Sequence, residues 1–142
     1  MIAILPISIK HEGKKYFFYP RVELITGCIS NENSVYEILC QVMDGQLQIS
    51  PTEIFNELEN SEIYIIYHHI LSNIKVKKTT AISLNVDIDF LNTYYLEILL
   101  SEFTEHIIIL ELSENKTLQS IIQSNNKLLY VQRPNNSLFV GN

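Results

Sequence analysis

Two glutamates and an asparagine, Glu37, Asn85 and Glu111, are the side chains whose placement first suggests chemistry. Asn85 ends the uncharged run Ala81-Ile82-Ser83-Leu84, and an amphipathic pattern (Ile88, Leu91, Tyr95, Ile98, Leu99) begins directly after it. A short apolar run that feeds straight into such a pattern reads as a buried parallel strand followed by a helix. In folds of that kind the working groups sit where a strand ends and its loop begins. Glu37 and Glu111 are expected to end two further strands in the same manner. Oxygen-bearing side chains brought together there would bond to one another.

Other residues offer less. His68 and His69 are neighbours on an expected helix, where successive side chains point about 100° apart and cannot chelate together. Tyr64, Tyr67, Tyr94 and Tyr95 fall within amphipathic patterns with little positive charge nearby, which suits a core edge or interface better than a platform for stacked bases. Asp87 reads as a helix cap. No glycine-rich phosphate loop, nucleophile elbow or supported Cys-His pair is present in the sequence.

The elements that must position these groups are legible along the chain. Residues 2–9 and 16–24 are β-rich runs around the turn His11-Glu12-Gly13-Lys14 and read as a hairpin. Pro6 and Pro20 mark edge or bulge positions. Val35 to Val42 is the next strand, closed by Asp44-Gly45. Ser50-Pro51-Thr52-Glu53 has the spacing of a capping box with proline in the first helical position. The helix it opens is expected to break at Asn60-Ser61 and resume from Glu62 to Leu71. Strand 81–85, a helix from Asp87 to about Phe103 and strand Ile107 to Glu111 follow. A further helix is expected from Asn115 through Leu118, Ile121 and Ile122 to a stop at Asn125-Asn126, then a strand from Leu128 to Val131. Strands alternating with helices imply an α/β fold with a parallel sheet.

Composition narrows the possibilities. The 142 residues are 46% apolar, enough for one domain with a real core, but short of the roughly 250 typical of a closed eight-stranded α/β barrel. The expectation is therefore a partial, half TIM-like β/α barrel whose parallel sheet keeps an open edge, with an N-terminal β-hairpin (1–24), β/α units (35–131) and a tail (132–142). No apolar run approaches the roughly 20 residues needed to cross a bilayer, and the N-terminus lacks the features of a signal peptide. Cys28 and Cys40 have no metal-type spacing and read as reduced thiols. Together these features predict a cytoplasmic protein with no membrane partner. The formal charge of −6, with basic clusters only at Lys14-Lys15 and at Lys75, Lys77 and Lys78, argues against a nucleic-acid polymer, which needs a basic stripe.

Several segments in order resemble the EAL-domain phosphodiesterases of bacterial cyclic di-GMP signalling. Tyr16 to Leu24 with Thr26-Gly27 resembles the family's opening strand, Y-Q-P-I-V-D-L-x-T-G. Glu37-Ile38-Leu39 falls at the E-A-L triplet, and Pro51 to Glu59 has the spacing of P-x-x-F-I-x-x-A-E. Ser83-Leu84-Asn85-Val86 is similar to I-N-L-S, and Glu111-Leu112-Ser113-Glu114 to E-I-T-E. The resemblance implies that Glu37, Asn85 and Glu111 descend from ligands to magnesium or manganese, hard cations that take oxygen donors and can act in pairs on a phosphodiester.

Departures from the family pattern imply lost catalysis. Tyr19 replaces its glutamine, and Gln41 replaces the arginine of E-A-L-x-R, removing a charge-assisted contact to ligand. The metal-binding D-D-F-G should follow the fourth strand, where Gln132-Arg133-Pro134-Asn135 stands instead. The family's later catalytic lysine and glutamates have no counterpart before Asn142. The resemblance thus implies a truncated, degenerate member without catalytic residues, in which Glu37, Asn85 and Glu111 are vestigial ligands and Gln41, Glu114 and Arg133 are candidate ligand contacts. The expected role is regulatory, through a protein partner or a homodimer formed at the open sheet edge, with no resident cofactor. The alternatives are a sensor that binds cyclic di-GMP without cutting it, or half of a phosphodiesterase, using magnesium or manganese, that another chain completes.

Overall fold

In the computed structural model, which describes residues 2–24, 35–76, 81–86, 88–105, 107–112, 121–124 and 127–132, the chain first reverses at Glu12-Gly13. Both have positive φ, 49° and 81°, the backbone that a two-residue hairpin of this kind demands. The turn joins β2 (Ile7–His11) to β3 (Lys14–Leu24), with His11 opposite Lys14 and Ile7 opposite Phe18. β1 (Ile2–Ala3) continues the outer lane on the other side of Pro6 and pairs with Arg21 and Val22. The expected N-terminal hairpin is therefore present.

β4 (Val35–Asp44) runs antiparallel to β3, and Gly45 turns it into the short β5 (Leu47–Ile49). Helices α1 (Pro51–Glu57) and α2 (Asn60–Asn73) lead to β6 (Ala81–Val86). After α3 (Ile88–Leu91) and α4 (Tyr94–Glu102) come β7 (Ile107–Leu112), β8 (Ile121–Ser124) and β9 (Lys127–Gln132). The strand order is β1-β3-β4-β6-β7-β9-β8, with β2 also on β3 and β5 on β4. β4, β6, β7 and β9 are mutually parallel where they pair, and antiparallel strands border them on both sides. The fold is mixed α/β around an open sheet.

Four local expectations need correction, the first being the break expected at Asn60-Ser61: α1 and α2 part at Leu58-Glu59, where the Glu59–Glu62 capping box starts the new helix at Asn60. Residues 121–124 form a strand paired antiparallel with β9, not the end of a helix. Ile121-Ile122 matches a helical period, yet branched side chains favour a pleated strand once a partner lies alongside. Asn115 and Leu118 lie outside the described residues. Pro51 does open α1 behind Ser50, but the Ser50 side chain makes no capping bond. The capping box closes one element later, where Glu59 precedes α2 and its N–H donates to Glu62 Oε1 at 2.8 Å. Finally, the helix expected over 87–103 is two helices. The Thr93 hydroxyl and N–H both return to the Phe90 carbonyl, at 2.7 and 3.1 Å, the local bonding by which threonine competes with a continuing helix.

Alternation along the strands divides the sheet into two faces. Even-numbered strand residues, among them Phe18, Val22, Ile38, Val42, Ile82, Leu84, Ile108 and Leu110, pack with Ile54, Ile66, Ile70, Phe90, Leu96 and Leu99 of the helices. This is the main core. The odd-numbered face carries a smaller apolar cluster of Val35, Ala81 and Ile109, and it is the face on which Glu37 and Asn85 stand.

Candidate functional site

Pairing register decides what Glu37, Asn85 and Glu111 share. Asn85 and Glu111 are direct partners across β6 and β7, and Glu111 is in turn paired with Gln132 of β9. Asn85, Glu111 and Gln132 thus form one row across three parallel strands. Glu37 is not in that row. Its partner on β6 is Ser83, two residues before Asn85, which sets it back by about 7 Å along the strand direction. Nor does Glu37 end its strand: it is the last residue of the β4–β6 pairing, and β4 continues to Asp44. Asn85 and Glu111 lie level with each other, each one residue before the end of its strand, and Glu37 does not join them.

The row containing Glu37 has its own character. Glu23 of β3 lies directly opposite Glu37, an arrangement of like charges that is unfavourable unless a cation or a hydrogen bond intervenes. Arg21, two residues away on the same face, donates from Nε to Glu23 Oε1 at 3.2 Å. Arg21 therefore supplies positive charge on this face. On the other side of Glu37 is Ser83, which is fully buried. Gln41 stands four residues beyond Glu37, exposed and paired with Tyr19. Arg133 and Glu114 lie outside the described residues.

No family model, characterised protein or solved structure matches the chain. Its site is therefore read from geometry alone.

Past Glu37 and Ser83, β4 and β6 part, and β4 next gains a partner on that side only at Val42, through β5. Tyr67 of α2 reaches this opening from the main core, and its hydroxyl donates to the Asn85 carbonyl. The ring is held by Phe55, stacked at 6.1 Å, and by Phe90 at 6.2 Å. Burial, and secondarily the neighbouring Cys40, keep the Tyr67 hydroxyl protonated well above the ordinary tyrosine range. Cys40 is a free, half-buried thiol. Burial pushes it up to about 12, against the weaker opposing pull of the Tyr19 backbone bond and the Arg21 charge. Cys28 lies outside the described residues. Tyr67, in other words, fixes the backbone of Asn85 from behind, while the Asn85 side chain stands exposed on the odd face.

Among the described residues, no group of three or more histidine, cysteine, aspartate or glutamate side chains is placed to hold an ion. The row that holds Asn85 contains one carboxylate position in three, and Glu23 is engaged by Arg21. The three described histidines each make a contact within the fold: His68 Nε2 with Glu102 Oε2 at 3.2 Å, His69 Nε2 with the Leu5 carbonyl at 2.7 Å, and His11 Nδ1 with Glu62 Oε1 at 2.8 Å. No helix among the described residues is long and apolar enough to cross a membrane.

Sequence reasoning missed Arg21, Glu23, Ser83 and Tyr67. The first three become neighbours of Glu37 only through strand register. Tyr67 did carry a signal, because a tyrosine on the apolar stripe of a helix must find a partner for its hydroxyl.

Proposed function

We propose that this chain is a non-catalytic relative of the EAL phosphodiesterases that acts through protein contacts in cyclic di-GMP-related signalling. The observation that carries the reading is the row Asn85–Glu111–Gln132, to which the fourth parallel strand contributes an amide, Gln132, as its last residue. Two divalent ions a few ångströms apart need several anionic oxygens to offset their charge. This row offers one carboxylate, and Glu37 is a step away, facing Glu23. Contact with a protein partner, or with a second copy, would use the edge of the open sheet, since unpaired edge groups are a template for strand addition.

Turnover of cyclic di-GMP is the direct test, measured with magnesium and with manganese alongside calorimetric titration of the dinucleotide. The expected result is no linear product with either metal, together with a dimer or hetero-complex in sedimentation. Product formation that disappears on Glu37→Ala would establish a working metal site and sink the proposal. A strict monomer that takes up the dinucleotide would replace it with a sensing role.

A further inference from the structure

The outer helical surface carries exposed aromatic rings on a strongly acidic ground. Tyr94 is 72% exposed, Ile65 47% and Tyr95 36%. Tyr95 leans on Tyr64 at 5.7 Å, Tyr64 on His68 at 5.6 Å, and His68 meets Phe103 edge-on at 5.4 Å. Glu102 ties this ring chain down: one oxygen accepts from the Tyr64 hydroxyl at 2.5 Å and the other lies 3.2 Å from His68 Nε2. Tyr64, Tyr95, His68 and Phe103 are thus held against one another before any partner arrives, which lowers the entropy lost on binding.

Charge says which partner fits. From Leu47 to Ile74 and from Ala81 to Asn115 the sequence contains no lysine or arginine. All four helices fall in these two stretches and carry no lysine or arginine; on α4 the exposed Glu97 lies one turn from Tyr94, and Glu102 bonds Tyr64. A symmetric dimer through this face would set carboxylates against carboxylates, which is costly. Nucleic acid and anionic lipid are repelled for the same reason. Arginine suits the patch best, because its flat guanidinium stacks on tyrosine while pairing with carboxylates.

We infer that the α2–α4 surface centred on Tyr64, Tyr94 and Tyr95 is a docking site for an arginine-bearing segment of another protein. The surface lies on the opposite side of the sheet from Glu37 and Asn85, so the inference stands or falls separately from the function proposed above. The probe is a short synthetic peptide alternating arginine and leucine, titrated by fluorescence anisotropy into the full chain, with a lysine-for-arginine peptide as control. Binding is expected at low ionic strength and should weaken as salt is raised toward about 0.5 M. The lysine peptide should bind several-fold less tightly, and the double variant Tyr94→Ser/Tyr95→Ser should bind about tenfold less tightly while keeping its circular dichroism spectrum. Amide NMR shifts on titration should concentrate in α2 and α4. Absence of binding, equal affinity for the two peptides, or affinity unchanged in the double variant would each overturn the inference. So would self-association that the same substitutions abolish, since the occupant would then be a second copy.

Discussion

Tyr67→Phe removes one oxygen and leaves the ring, so the stacking on Phe55 and Phe90 survives. What disappears is the bond to the Asn85 carbonyl, at the place where β6 has parted from β4. Leaving the partly buried Asn85 carbonyl without this donor costs about 1–3 kcal/mol, equivalent to a fall of about 3–9 °C in Tm for a chain of this size. The sign of the pH dependence gives a second, independent readout. Burial raises the folded-state pKa of Tyr67 above its unfolded value, which is about 10. Its contribution to stability is therefore complete below about pH 10. Above that the unfolded chain releases a proton that the folded chain keeps, and stability declines by about 1.4 kcal/mol per pH unit for this one group. The phenylalanine variant lacks that decline. Urea unfolding followed by circular dichroism should show the variant weaker at about pH 8 and the gap to the parent narrowing toward about pH 11. Equal stabilities at about pH 8, or alkaline slopes that run parallel, would refute the placement of Tyr67 as the donor that secures Asn85.

Two further outcomes follow from other groups. Glu62 receives both His11 Nδ1 and the Glu59 N–H on one oxygen at 2.8 Å, so Glu62→Ala should cost about 2 kcal/mol in urea unfolding, with Glu62→Gln in between; a loss under about 0.5 kcal/mol would show that the hairpin is not held to α2 by this contact. In a Cys28→Ser background, Cys40 should react with a disulfide reagent at least about 100-fold more slowly than a free thiol at neutral pH, because a thiol pushed up to about 12 holds almost no thiolate; labelling at the free-thiol rate without denaturant would contradict its burial.

The local elements were legible because their causes are local. Glycine beside Glu12 sets the first hairpin, Pro51 opens α1, and the apolar runs at 81–86 and 107–112 have too few polar residues to lie anywhere but inside a sheet. Where two local readings were equally good, neighbours decided. Ile121-Ile122 fits a helix or a strand by period, and the β9 partner selects the strand. Asn92-Thr93 fits inside an amphipathic pattern, and the bonds from Thr93 to Phe90 divide it.

From the residues alone, then, came the α/β class, the order of most elements and the two polar positions that share a row, Asn85 and Glu111. Tertiary structure alone decided that Glu37 sits a step behind them, facing Glu23, and that Arg21 and Tyr67 serve this region. The reason is physical. Strand type depends on side-chain patterning within a few residues, whereas register depends on which backbone groups of distant segments meet, and shifting it by two residues leaves every apolar side chain on its proper face. A hydrophobic pattern can thus specify which face of the sheet a glutamate occupies without specifying whose neighbour it becomes.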